Sequence, residues 1–147
     1  MRFSITIAFT LAFLSLLACE STDDEQSTSL SLIKDTKTMQ YAIEGKILYE
    51  QYCANCHQAD GTGLGRVIPP LADSDYMLED VGRTVRVIKH GLKGEIVVNG
   101  ITYNQNMPGN PQLTNMEIAQ ITTYIYNVWG NKSEVIDANE VANHLRK

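Results

Sequence analysis

Cys53-Ala54-Asn55-Cys56-His57 is the stretch on which the reading of this chain turns, because C-x-x-C-H is the attachment signature of a c-type haem. Two thiols three positions apart on one helical turn can each bond a vinyl group of a porphyrin. The residue that follows then lies beneath the iron, which makes His57 the expected proximal ligand. Two other uses of paired cysteines fit less well. A structural zinc site needs four Cys or His ligands, usually as two pairs, whereas the chain has three cysteines and the third, Cys19, lies in a segment of another kind. A thioredoxin-like pair opens a helix within alternating strands and helices; here the cysteines close a helical stretch and a glycine-rich loop follows.

The amino terminus indicates the compartment. After Arg2, residues 3–18 form a nearly unbroken apolar run, too short to span a bilayer comfortably and of the length of an export signal. It ends Leu16-Leu17-Ala18-Cys19, which resembles the lipobox of bacterial lipoproteins, so cleavage before Cys19 and lipidation of that cysteine are expected. Export and haem attachment agree, since c-type haems are attached outside the cytoplasm. The expected location is the periplasmic face of a bacterial membrane or the cell surface.

Loss of residues 1–18 removes one positive charge, Arg2, and takes the formal net charge from -5 to -6. Haem carboxylates add further negative charge, so nucleic acid is an unsuitable partner. Residues 19–39 are rich in Ser, Thr and Asp, carry the acidic run Asp23-Asp24-Glu25 and lack apolar periodicity; they read as a flexible tether. Residues 40–130 suffice for one small domain, and residues 131–147 read as an accessory helix. With no internal repeat and one C-x-x-C-H, one haem is expected.

Helical spacing places Ile43, Ile47, Leu48 and Tyr52 on a helix over 41–53 that Gly45 interrupts, a sign of close helix contact. Thr114-Asn115-Met116-Glu117 is a capping box, and Ile118, Ile121, Ile125, Val128 and Trp129 line one face of the helix that follows. Between these lies a third helix over 80–92 with Val81, Val85 and Ile88 on a stripe, weakened by Gly82. Asn99-Gly100, between two β-prone runs, is a hairpin signal. Asp137 and Glu140 mark a last helix start, with Val141 and Leu145 on its face.

Taken in order, Gly45-Lys46-Ile47-Leu48-Tyr49, the C-x-x-C-H run, Gly61-Thr62-Gly63, Pro69-Pro70-Leu71, Met107-Pro108 and a final helix bearing Tyr124 and Trp129 resemble a single-haem bacterial cytochrome c of the His/Met type. The similarity covers roughly residues 40–130. The stretch from His90 to Asn104 is further similar to small cytochromes that serve quinoprotein dehydrogenases, copper nitrite reductases and terminal oxidases. The resemblance implies an all-α fold, a cytochrome c fold around one covalent haem c, with a small β-hairpin before the distal Met loop. It implies that the first and last helices cross near Gly45, that the Pro69 carbonyl accepts the second N–H of His57, and that Leu71 packs beside the ring. Arg66, the cation nearest this loop, is a candidate partner for a haem carboxylate.

For the sixth ligand the candidates are Met39, Met77, Met107, Met116, His90 and His144. Met107 is preferred, in an Asn- and Pro-rich loop before the last helix that Pro108 and Pro111 stiffen; Met77 and His90 stay as alternatives, and His144 is assigned to the surface. With iron held on both faces, the expected activity is outer-sphere electron transfer with redox proteins through a membrane-tethered carrier, with no small-molecule substrate and no enzyme reaction. The alternatives are a haem subunit of a dehydrogenase, nitrite reductase or terminal oxidase complex, and an open-site haem sensor or peroxidase.

Overall fold

Asp35 opens the first long helix, accepting hydrogen bonds from the amide of Thr38 at 2.7 Å and from its hydroxyl at 2.8 Å, as a helix N-cap does. Helix α1 (Thr36–Tyr52) therefore starts before Tyr41 and takes in residues 36–39, a stretch assigned above to the tether. The computed structural model describes residues 29–130 and 134–147; the export run, Cys19 and the first part of the tether lie outside the described residues. No described helix is long and apolar enough to cross a membrane.

The face that α1 buries is the expected one only in part: Leu48 and Tyr52 pack half-buried against the core, but the isoleucines do not. Ile43 and Ile47 are 46% and 55% exposed, whereas Thr38, Ala42, Gly45 and Tyr49 are buried. The cause is the crossing with α5 (Asn115–Val128). A Cβ on Gly45 would stand 2.0 Å from the Gln120 carbonyl oxygen and 2.8 Å from the Cβ of Tyr124, so two backbones meet here and the seam selects small side chains. Tyr124 approaches at that crossing as the resemblance implies.

After α1 the chain makes the short helix α2 (Ala54–His57), then α3 (Asp75–Glu79) capped by Ser74, and α4 (Val81–His90) capped by Asp80, whose carboxylate accepts from the Arg83 amide at 3.0 Å. Val85 and Ile88 of the expected stripe are buried. Four short strands follow: β1 (Gly91–Leu92), β2 (Ile96–Val98), β3 (Ile101–Tyr103) and β4 (Met107–Pro108). The hairpin forms with Val98 opposite Ile101, and both turn residues, Asn99 and Gly100, have positive φ, the geometry that the Asn-Gly pair favours. Asn99 and Asp75 exchange hydrogen bonds at 2.8 and 3.1 Å, which ties the hairpin tip to α3. The second pairing, β1 with β4, sets Leu92 opposite Met107. Here the expectation of an irregular loop gives way to a ladder.

The capping box is present: the Thr114 amide donates to Glu117 Oε2 at 2.7 Å and the Glu117 amide to the Thr114 hydroxyl at 3.3 Å. Helix α5 is buried on all sides from Ile121 to Val128 rather than along one stripe, because α1 covers one flank while α4 and α6 (Ala138–Leu145) cover the rest. Its buried polar groups are satisfied. Asn127 donates to the carbonyls of Thr123 and Glu134 at 2.8 and 2.9 Å, and the Ile136 amide donates to the Thr123 hydroxyl at 3.0 Å. These bonds fasten the carboxy-terminal segment to the domain. His144 is not a free surface residue: its ring packs where a Cβ on Gly82 would lie 2.5 Å from Nδ1, and its side chain is 20% exposed.

Candidate functional site

Between α2, α3, α4, the hairpin and β4 lies an apolar cleft of two adjoining lobes, with about 670 and 470 Å³ of atom-free space, open solvent included. His57, Pro69, Leu92, Ile96 and Met107 line both lobes. Cys53 opens on one and Cys56 on the other, and both are free thiols, Cys56 exposed and Cys53 half-buried.

His57 is oriented by its neighbours. Its Nδ1 lies 3.1 Å from the carbonyl oxygen of Pro69; a carbonyl can only accept, so Nδ1 carries the proton and the Nε2 lone pair is left for a ligand. The acceptor is itself held in place by a close passage of the chain. Gly63, at φ 70°, donates its amide to the His57 carbonyl at 3.0 Å. A Cβ there would meet the Ile68 and Pro69 carbonyl oxygens at 2.4 and 2.7 Å, so only glycine fits. Behind the turn, Tyr49 donates its hydroxyl to the Gln58 carbonyl at 2.7 Å and packs with Trp129 and Tyr124 at ring separations of 5.2 and 5.5 Å.

Electrostatics suit a ligand set of neutral groups. Burial holds the His57 pKa below the usual imidazole value, partly opposed by the hydrogen bond to Pro69, so the ring is neutral and basic at Nε2. Burial, with Cys56 beside it, pushes the Cys53 thiol up to about 12. Burial also raises the Tyr49 hydroxyl well above its ordinary value, so it stays a donor. Among the described residues no group of three or more His, Cys, Asp and Glu gathers for a metal ion, which leaves the cysteines without the partners a zinc site requires.

The other candidates sort by position. Met107 lines both lobes together with His57, whereas Met77, 4% exposed, lines only the first. Leu71 lines the first lobe. His90 is exposed, Met116 is 44% exposed, and neither they nor Met39 and His144 line the cleft. Arg66 is exposed on its loop and is not brought to the cleft; the loop turns at Gly65 and carries the side chain into solvent. Sequence reasoning missed Tyr76, Val87, Ile96, Val98 and Tyr103, which line the cleft. The hairpin signal named the segment that carries the last three without saying which side faces inward. An apolar slot with two thiols at its mouth, an imidazole nitrogen and a thioether on its walls fits a covalently held haem.

The family model for cytochrome c matches residues 42–129. The chain is 36% identical over 96 residues to cytochrome c-552 of Thermus thermophilus, an alignment of 63% of this chain and 72% of that protein; of a second cytochrome c-552 sequence from that species it covers 64%. It is 33% identical over 101 residues to the cytochrome c subunit of a quinone alcohol dehydrogenase of Gluconacetobacter polyoxogenes, and 30% identical over 97 residues to that of Gluconobacter oxydans. These cover 63% and 60% of this chain but only 20% and 19% of the subunits.

Proposed function

The chain belongs to the cytochrome c family, carries covalent haem c and transfers electrons rather than catalysing a reaction, and on that premise we propose that it is a lipid-anchored single-haem carrier in which His57 and Met107 hold the iron. Bound in the cleft, the haem supplies a one-electron ferrous/ferric couple. The residues around it set when that couple gives up its electron. His57, neutral and fixed by Pro69, provides a directed nitrogen. Met107 provides a soft, uncharged sulfur that favours the ferrous state, and the apolar walls exclude water and disfavour the extra ferric charge; both raise the potential. The observation that carries this reading is that His57 and Met107 alone among the candidate ligands line both lobes.

Residues 1–18 act as a lipoprotein signal, Cys19 takes the lipid, the following segment tethers the domain, and the protein works at the periplasmic face of a bacterial membrane. Redox proteins dock transiently at the cleft mouth beside the exposed Cys56. The similarity to dehydrogenase cytochrome subunits supports a second reading, a subunit held in a dehydrogenase complex. Co-purification with a partner through high salt selects that reading, and salt-sensitive association selects the free carrier.

The ferric protein is expected to show the near-infrared Met-to-iron band, and its colour is expected to stay with the protein in acidified acetone. Cys53→Ser with Cys56→Ser loses covalent haem, and Cys19→Ser releases the protein from membranes. High-spin iron that takes up carbon monoxide at once refutes the closed site.

A further inference from the structure

Haem c brings carboxylate side chains into a cleft whose lining contains no lysine or arginine, and a carboxylate withdrawn from water requires donors or a counter-charge. The side-chain hydroxyls on the first lobe other than that of Tyr76 each have a partner within the chain, Ser74 as an acceptor only. Ser74 caps α3 through the Met77 amide, and the Thr84 hydroxyl lies 3.1 Å from that of Tyr126 and within reach of the Met77 and Asp80 carbonyls.

Tyr76 is different. It lines the cleft, and its hydroxyl has no hydrogen-bond partner among the described residues. The Arg83 guanidinium lies over its ring, 3.8 Å from the centroid, and Nη2 donates to the Tyr76 backbone carbonyl and to Glu79 Oε2, the latter at 3.0 Å. Arg83 thus grips Tyr76 by face and by backbone. Its Nε is buried without a partner among the described residues, a state that folded chains avoid. Glu79, with a side chain 74% exposed, is too well solvated to cancel the guanidinium charge.

We infer that Tyr76 donates its hydroxyl to a haem carboxylate, with Arg83 as the positioning residue that fixes the ring and sets a positive charge behind it. The role given to Arg66 by sequence passes to this pair. The inference rests on haem occupying the cleft. Its consequence is electronic: a carboxylate whose charge is drawn toward Tyr76 and Arg83 stabilises ferric iron less, so the pair raises the potential.

The test uses the haem-loaded protein and three variants, Tyr76→Phe, Arg83→Gln and Arg83→Lys, read by spectroelectrochemistry and by the carboxylate-bending modes in resonance Raman spectra. Tyr76→Phe keeps the ring and removes only the donor. It is expected to shift the ferrous/ferric equilibrium toward ferric by roughly three- to tenfold, about 28–59 mV, move the bending mode, and leave the thermal midpoint nearly in place. Arg83→Gln lowers the potential comparably, Arg83→Lys recovers part of the loss, and the double variant falls short of the sum because Arg83 acts through Tyr76. A fully loaded Tyr76→Phe protein with unmoved potential and unmoved mode overturns this inference alone; so does a mode that answers instead to Gln105→Ala, which places the carboxylate at the second lobe. A wild-type product without covalent haem overturns the haem reading and this inference with it.

Discussion

Gly45→Ala sets two effects of opposite sign against each other. In a helix interior, alanine is better than glycine by about 1 kcal/mol, so a solvent-facing position would gain stability. At Gly45 the new Cβ would lie 2.0 Å from the Gln120 carbonyl oxygen, 2.6 Å from its carbon and 2.8 Å from the Tyr124 Cβ. A backbone carbonyl inside α5 cannot turn aside, so α1 has to withdraw by about 1 Å before the closest contact reaches even a strained separation. A gap of that size forfeits a quarter to a half of each contact's ~0.1–0.2 kcal/mol. Over the few dozen atom pairs of such a crossing, together with residual strain, the loss is about 3 kcal/mol. Set against the propensity gain, the net destabilisation is about 2 kcal/mol. Guanidinium unfolding of the haem-loaded protein, followed by Soret absorbance and far-UV dichroism, measures it, with Gln40→Ala, exposed on the same helix, expected within about 0.5 kcal/mol of wild type. Unchanged or increased stability of Gly45→Ala would refute the crossing.

Met107→Ala is expected to give high-spin haem that binds carbon monoxide, while Met77→Ala leaves the visible and near-infrared spectrum as it was; the reverse pattern exchanges their roles. The cap carboxylates Asp35, Asp80, Asp137 and Glu117 are held below their ordinary values, by backbone hydrogen bonds first. A carboxylate lowered on folding adds stability that is complete above its unfolded value, about 3.9 for Asp and 4.3 for Glu, and vanishes as pH falls through the folded one. The share of stability that these carboxylates contribute should therefore be level near neutrality and fall below about pH 5, and Asp80→Asn, which keeps a capping side chain, should flatten that acid limb in urea titrations with little change at pH 7. Asn99→Ala breaks the exchange with Asp75 and places a Cβ residue without a capping amide at positive φ, so amides of β2 and β3 should exchange hydrogen faster while α5 amides do not; uniform loss of protection would show that the hairpin is part of the global unit.

The cofactor and its attachment point were legible because the chemistry dictates a contiguous spacing, and the capping box and the Asn-Gly turn because each is a local device. What failed was long-range. The isoleucines of α1 have helical spacing, yet the seam is made by Thr38, Ala42, Gly45 and Tyr49, since closeness of approach rather than hydrophobicity decided the face. The all-round burial of α5 depended on where α4 and α6 would settle, which periodicity in one helix cannot report. The start of α1 was missed because Asp35 stands among polar residues that read alike whether they cap or float. Arg66 was chosen for its nearness in sequence to the proline loop, while Arg83, on a different helix, reaches Tyr76 only in the fold.

Leu92 and Met107 are register partners across β1 and β4, so Met107 takes its position from the segment that leaves α4. That separates two properties that a carrier must tune. The outer hairpin residues Val97 and Ile101, 53% and 36% exposed, can be replaced to alter what the domain touches, while the ladder keeps Met107 at its place on the cleft wall. The outer surface and the cleft wall are thereby open to independent adjustment within one short segment of chain.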